Sequence, residues 1–448
     1  MPHIHVPNRG SSPVTQPQII CAYIITFHDD PQYLAEKAVT QYPKGALVTS
    51  AAGKIIWVGD KSDLPQQYVK LPITDYNNQY LMAGFIDPHL HFPQYRMLAA
   101  PGKNLLDWLT RFTFKEEARY VDAGHATDAA EHFLDFLLAH GTTSAMAFSS
   151  VHKGATDILF NAADKRNMAF FTGKTMMDRN APDNVLDQAE QGAIDSEVLL
   201  QKWHGHNRLR YAITPRFAIT STEAQLQLTG ELYQKYPDCY MQTHLSESAE
   251  EIEMVKNLFP NAKDYTAVYE QYDLLQKNSF FGHAIHLSER ECAALSQAQS
   301  TVVHCPTSNT FLGSGLFNLG HLRQASRPID VGLATDIGGG TSYSMLHTIG
   351  EAFKVASFNN ISFSALEGFY MATLGNAKTL GLDHEIGSVK VGNWADFIII
   401  DPVATPLLAA RQQISESLND ALFALAILGD DRAISATYVA GECLHTRT

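Results

Sequence analysis

Between residues 84 and 384, short apolar runs alternate with amphipathic helical patterns, and few architectures accept that alternation. The strand candidates are Tyr80 to Ile86, Thr142 to Phe148, Ala169 to Met176, Leu209 to Thr214, Cys239 to His244, Ser279 to His283, Thr301 to His304 and Val331 to Thr335. The first is apolar throughout, as a strand buried on both faces is. Pro88 cannot donate to a ladder, so regular pairing is expected to end about there. In one intervening helix, Ala130, Phe133, Leu134, Leu137 and Leu138 fall at i, i+3, i+4, i+7 and i+8, and Gly141 ends it. In another, Ser248 and Glu251 form a capping box ahead of Ile252, Val255 and Leu258. Eight such units over roughly 300 residues suggest an α/β fold closed as a (β/α)8 TIM-like barrel rather than an open sheet.

The two chain ends have a different texture. Residues 18 to 82 read as all β, with Ile19 to Phe27 as one strand. Leu47 to Ser50 and Lys54 to Val58 flank the hairpin signal Ala51-Ala52-Gly53. After Gly387 the β pattern returns in Asp396 to Asp401 and in a hairpin from Ile434 to Leu444 around Gly441. The simplest division is a loose tail over 1–17, a β-sandwich domain built from 18–82 and 386–448, and a barrel over 83–385 inserted between its halves.

Bulk properties narrow the function classes. Hydrophobic content of 45% with 18% charged residues is that of a soluble globular chain. A net charge of −14 disfavours nucleic acid, which is met by a basic face. No apolar run reaches the roughly 18 residues of a membrane span. Met1 to Gln18 lacks the apolar core of a secretory signal. Cys21, Cys239, Cys292, Cys305 and Cys443 are scattered and form no C-x-x-C pair, which fits the reduced thiols of a cytoplasmic protein.

In a barrel of this kind, chemistry sits at the C-terminal ends of the strands. His89 and His91 follow the first strand, and residues i and i+2 of extended chain point the same way. Strand five ends in His244 with Glu247 three residues on, strand six in His283, and strand eight in Asp336. Each has a plain alternative. The H-x-H pair reads equally as two loop histidines, and His244 as a core histidine. Glu247 serves as a charge at a helix N-terminus. His283 competes with His286, and Asp336 serves as a turn residue ahead of Gly338-Gly339-Gly340. Together, in order and all at strand ends, they supply N and O ligands suited to Zn2+ or Fe2+.

These residues carry a resemblance. Gly84-Phe85-Ile86-Asp87-Pro88-His89-Leu90-His91 and the closing Gly392-Asn393-Trp394-Ala395-Asp396 resemble the amidohydrolase superfamily over nearly the whole chain. Within it, the chain is similar to members that deaminate guanine. That likeness rests on His91-Phe92-Pro93-Gln94, Leu106-Asp107-Trp108-Leu109, Gly173-Lys174, Thr214-Pro215-Arg216-Phe217, Thr243-His244-Leu245-Ser246-Glu247, His304-Cys305-Pro306-Thr307-Ser308-Asn309 and Ala334 to Gly340. Dinuclear members bridge two metals with a carboxylated lysine at the end of strand four. Here that place reads Thr214-Pro215-Arg216, and Lys174 lies one strand too early, so one metal is implied.

The resemblance implies His89, His91, His244 and Asp336 as ligands of one zinc per chain, and a zinc-activated water that adds to C2 of guanine. It also implies Glu247 as proton carrier, Asp336 as acceptor of the water's proton, and His283 as orienting group. Guanine presents O6 and N7 as acceptors, for which Arg216 is the natural donor fork. Gln94 can read a mixed donor and acceptor edge, and Phe217 can cover a ring face. The products would be xanthine and ammonia, and the assembly a homodimer. Competing readings are an aminohydrolase of 8-oxoguanine, a pterin or an s-triazine, and a scaffold protein that kept the fold and lost catalysis. The zinc nucleobase deaminases with an H-x-E and P-C-x-x-C signature are excluded, since no P-C-x-x-C exists here.

Overall fold

A computed structural model describes residues 16–447. Fifteen of the residues read from sequence as a loose tail lie outside the described part. The first sheet joins both chain ends. Its seven strands run in the order Glu442–Thr446, Ile434–Val439, Phe397–Ile400, Ile73–Ala83, Gln18–Phe27, Val39–Thr49 and Ile55–Asp60. It is one continuous hydrogen-bonded sheet built from both chain ends, as expected of the domain split around the barrel. Separate apolar clusters cover its faces, one around Ile20, Leu47, Leu81 and Phe397, another around Ile19, Cys21, Ala46 and Val48. Met82, Ile398, Ile400 and Ile434 share a core with the helix Ala123–Ala139. The hydroxyl of Thr437 donates to the Leu138 carbonyl at 2.7 Å, fixing that contact.

The second sheet holds the eight expected parallel strands in sequence order. They are β1 (Phe85–His91), β2 (Thr142–Phe148), β3 (Ala169–Gly173), β4 (Leu209–Pro215), β5 (Tyr240–Leu245), β6 (Ser279–His283), β7 (Thr301–His304) and β8 (Asp330–Leu333). A short strand, Thr175–Met176, adds a second pairing beside β4. The apolar run expected as the first barrel strand divides at Gly84. Up to Ala83 it belongs to the first sheet, and from Phe85 to the barrel. Gly84 N donates to Asp396 of one sheet and Phe85 N to Gly141 beside the other, at 3.0 and 2.9 Å. A side chain at Gly84 would strike Thr143, so the handover requires glycine. Pro88 does not end β1 as expected. The ladder to β2 slips between Asp87 and Leu90 and then resumes to His91, so proline is absorbed in an irregularity.

The seam between β8 and β1 closes the barrel. Asp336 N donates to His89 O at 3.0 Å, and His91 N donates to Ile337 O. The Thr335 amide and hydroxyl both donate to Asp87. Asn376 brackets the seam from a later helix. Its amide donates to Ile86 O at 2.7 Å and Leu333 O at 2.8 Å, and its oxygen accepts from Leu333 N at 3.0 Å.

The helix Ala123–Ala139 ends at a left-handed Gly141, and both Ser248 and Ser288 cap their helices in reciprocal boxes. Beyond Gly387, where β texture was expected, lie also the helices Pro406–Gln412 and Leu418–Leu428. The latter packs on Met345–Phe358, with the Phe353 and Phe423 rings 4.7 Å apart. No helix among the described residues is long and apolar enough to cross a membrane.

Asn376→Ala strands three buried backbone groups at the seam. At about 1–3 kcal/mol for each unpaired group, partly relieved by water entry, the loss should be about 2–5 kcal/mol. A denaturant midpoint equal to that of the parent protein would show that the seam holds without this bracket.

Candidate functional site

The strand ends converge on one buried centre. His89 and His91 leave β1 on the same side, as their spacing requires. Asp336, just past β8, is carried to them by the seam. Its Oδ1 lies 3.6 Å from His89 Nε2 and 3.3 Å from His91 Nε2. His244 ends β5 with Nε2 3.2 Å from His91 Nε2. His244 Nδ1–H donates to the Arg216 carbonyl at 2.7 Å, which fixes the tautomer and leaves the Nε2 lone pair facing the centre. The Phe148 ring stacks on His91 at 4.6 Å and contacts His89 and His244. Gly282 leaves room for this centre, since a side chain there would run into the His89 ring.

Three strand ends place site residues in left-handed backbone. Ser246, His283 and Asp336 have φ of 47°, 68° and 53°. Non-glycine residues are held there only where surrounding contacts over-determine them, as they do at functional sites.

His283 sits opposite the imidazole cluster. Its Nδ1–H donates to Asn309 Oδ1 at 2.8 Å, so Nε2 faces Glu247 Oε2 at 3.4 Å and Asp336 Oδ2 at 3.8 Å. Glu247 also accepts from the Ser314 hydroxyl at 3.0 Å. Burial raises the Glu247 carboxyl to about 7, although the His283 charge opposes the rise. Burial lowers His283 by itself, but the carboxylates of Glu247 and Asp336 outweigh it and the net shift is upward. Burial likewise works against the Asp336 anion. The hydrogen bond from His91, first, and the charge of His283 override it and hold Asp336 well below the usual carboxylate range. His89, His91 and His244 are all pushed down by burial and are neutral near pH 7.

Such a donor set fits a divalent metal. Three neutral imidazoles and an ionised carboxylate are the ligand forms that zinc takes. Nitrogens of His89, His91 and His244 lie within 4.8 Å of one another, and His89 Nε2 is buried with no hydrogen-bond partner. A second group within the same limit joins His89, His283, Cys305 and Asp336. Lys174 is no part of either. It lies buried at the end of β3, where its ammonium pairs with Asp187.

Beside the centre a pocket opens. His91, His244, Glu247, His283 and Asp336 form its floor; Gln94, Arg216 and Phe217 stand on its wall with Leu105, Trp108, Leu109 and Leu312. The nine residues singled out from sequence are therefore brought together. Others carried no such signal. Phe148 ends an ordinary apolar strand. Asn309 and Trp108 lie inside motifs that carry the family resemblance, but nothing in their spacing gives them a task. Glu117 reads as one more charge on a solvated helix, yet it is buried between Gln94 and Arg216.

The chain belongs to the amidohydrolase family, whose model matches residues 80–444. Within that family it is similar to guanine deaminases. It is 44% identical to the guanine deaminase of Escherichia coli K12 over 423 residues, which is 94% of this chain and 95% of that protein. The solved structure of E. coli guanine deaminase superposes with a TM-score of 0.91, 42% identity and coverage of 97% of this chain and 100% of that one. A guanine deaminase from C. acetobutylicum, solved with guanine in its active site, gives 0.86 at 29% identity over 96% and 100%.

Metal analysis of the purified protein should find about one divalent ion per chain, because the imidazoles of His89, His91 and His244 and the Asp336 carboxylate converge on one centre. His244→Ala should empty it. Two tightly held ions per chain would contradict the single centre.

Proposed function

We propose that this protein is a guanine deaminase, hydrolysing guanine to xanthine and ammonia. The observation that carries the reading is its similarity to guanine deaminases across nearly the whole chain, in sequence and in fold. The metal proposed is zinc, one per chain, held by His89, His91, His244 and Asp336. When bound there it supplies Lewis acidity that makes a water nucleophilic near neutral pH.

The remaining work falls to the chain's own residues. Asp336, ionised and beside His91, takes the proton of the attacking water. The water's oxygen forms its bond to C2 of the purine. His283, fixed through Asn309, orients that oxygen and stabilises the charge it develops. Glu247, with its carboxyl raised to about 7, can both hold and release a proton near neutral pH. It delivers one proton to the ring nitrogen beside C2, takes up the proton of the new C2 hydroxyl and passes it to the departing amine, while the proton held by Asp336 restores the Glu247 carboxyl. The C2–N bond breaks and ammonia leaves.

Recognition follows from the pocket wall. Arg216 uses Nη1 on Glu117, at 2.8 and 2.7 Å from its two oxygens, so its other N–H groups remain for O6 and N7. Gln94 Oε1 accepts from Gly338 N at 3.2 Å and Nε2 donates to Glu117 at 2.9 Å, which sets the amide's orientation toward the purine edge. Phe217, two residues past β4 and lining the pocket, covers a face of the ring in this reading. Among the described residues no two cysteines are joined in a disulfide, which agrees with a cytoplasmic setting. The reading also carries with it a homodimer, as the family resemblance implies.

Ammonia release tests the substrate directly. The protein should turn over guanine in preference to 8-oxoguanine, a pterin and an s-triazine, and should release nothing from adenine, whose C2 bears no amine. A preference for a pterin or a triazine would overturn the guanine assignment while leaving a deaminase.

Glu247→Gln should retain its metal and lose at least about 10²-fold in kcat, the scale of general acid–base catalysis. Near-normal turnover in this variant would reduce Glu247 to a charge at a helix end.

A further inference from the structure

The two proposed recognition residues come from opposite sides of the barrel and meet on one buried carboxylate. Gln94 follows β1 and Arg216 follows β4. Glu117 accepts 2.9 Å from Gln94 Nε2 and 2.8 and 2.7 Å from Arg216 Nη1. All three are almost fully buried, at 3% exposure for Glu117, 1% for Gln94 and 4% for Arg216. Glu117 stands in the segment between β1 and β2 that also builds a wall of the pocket through Leu105, Trp108 and Leu109. It is not itself a lining residue.

From this geometry we infer that Glu117 is a positioning residue for substrate selection: its carboxylate fixes the Arg216 guanidinium and the Gln94 amide so that their remaining donors face the acceptor edge of a 6-oxopurine. The inference rests on the proposed guanine reading and deepens it. A guanidinium buried without a counter-ion would swing toward whatever acceptors or water it could reach. A primary amide without an anchor can present either its oxygen or its nitrogen. The anchor on Gln94 is double, because Gly338 N holds the oxygen while Glu117 holds the nitrogen. One carboxylate thus sets both readers, and the wall segment is tied to the strands by the same bonds.

The chemistry gives a test that separates selection from folding. 2-Aminopurine keeps the C2 amine and N7 but lacks O6, so it offers the same bond to break with only one of the two acceptors that Arg216 is aimed at. Glu117→Gln keeps the side-chain size, removes the charge and leaves Arg216 unpaired. With charge-assisted bonds lost from the reader, kcat/KM for guanine should fall about 10- to 100-fold, chiefly through KM. The loss on 2-aminopurine, which has one acceptor fewer to be read, should be clearly smaller than the loss on guanine, so the preference for guanine narrows. Metal content should be unaltered. Glu117→Asp retains the charge at a shorter reach and should restore part of the preference, which also covers the case in which the glutamine variant does not fold.

Equal losses on both substrates in either variant would make Glu117 a purely structural residue and overturn the inference, as would an unchanged guanine preference. Failure of the guanine reading shows differently, in the parent protein, as an absence of guanine turnover before any substitution is made.

Discussion

The return of β8 onto β1 is the constraint on which the remainder depends. Thr335 and Asp87 are 248 positions apart, yet they share the hydrogen bonds that close the barrel. The same seam pins Asp336 N to His89 O, which delivers a carboxylate to two imidazoles with no freedom to choose another place. Asp87 is buried throughout, and burial raises its carboxyl to about 7 against the donors from Thr335 and His89. Asn376 supplies both acceptor and donors to the adjoining carbonyls and amide, so neither edge strand is left unpaired. The contacts that close the barrel are therefore also those that assemble the site.

Dense burial then sets the electrostatics. Taking imidazoles out of water favours their neutral form, and taking carboxyls out of water favours protonation. Within a few ångströms the site contains both outcomes. His89 and His244 are driven far down, Glu247 is driven up, and Asp336 alone stays strongly anionic because His91, His283 and His89 surround it. Environments that push neighbouring groups apart in this way allow acid and base roles to coexist at one pH. Backbone held in the left-handed region at Ser246, His283 and Asp336 aims these groups, and the closed barrel over-determines it.

Much of this was legible in the chain. Thr142 to Phe148, Ser279 to His283 and Thr301 to His304 match their strands at both ends, because continuous apolar runs bounded by turn residues admit little else. The capping box at Ser248 is local chemistry and was read as such. Of the strand Ile73–Ala83 only the apolar end from Tyr80 is legible, since Asp75, Asn77, Asn78 and Gln79 interrupt the pattern of the rest, although the strand is central in its sheet. The division at Gly84 was invisible because one apolar run serves two sheets. Leu418–Leu428 is apolar nearly all round, so it carries no period to distinguish a buried helix from β structure.

By itself, the sequence determined the order of strands, the ligand types at four strand ends, and the family they resemble. These are properties of residue type and short spacing, which survive without knowledge of the fold. Only the tertiary structure decided which groups pair across the barrel. It set Asn309 on His283, Ser314 on Glu247 and Asn376 across the seam. It turned Glu117 from a charge in the run Phe114-Lys115-Glu116-Glu117 into the buried partner of Arg216, 99 positions away. A charged residue on a helix is solvated or buried according to what the rest of the chain lays against it, and no local pattern records that.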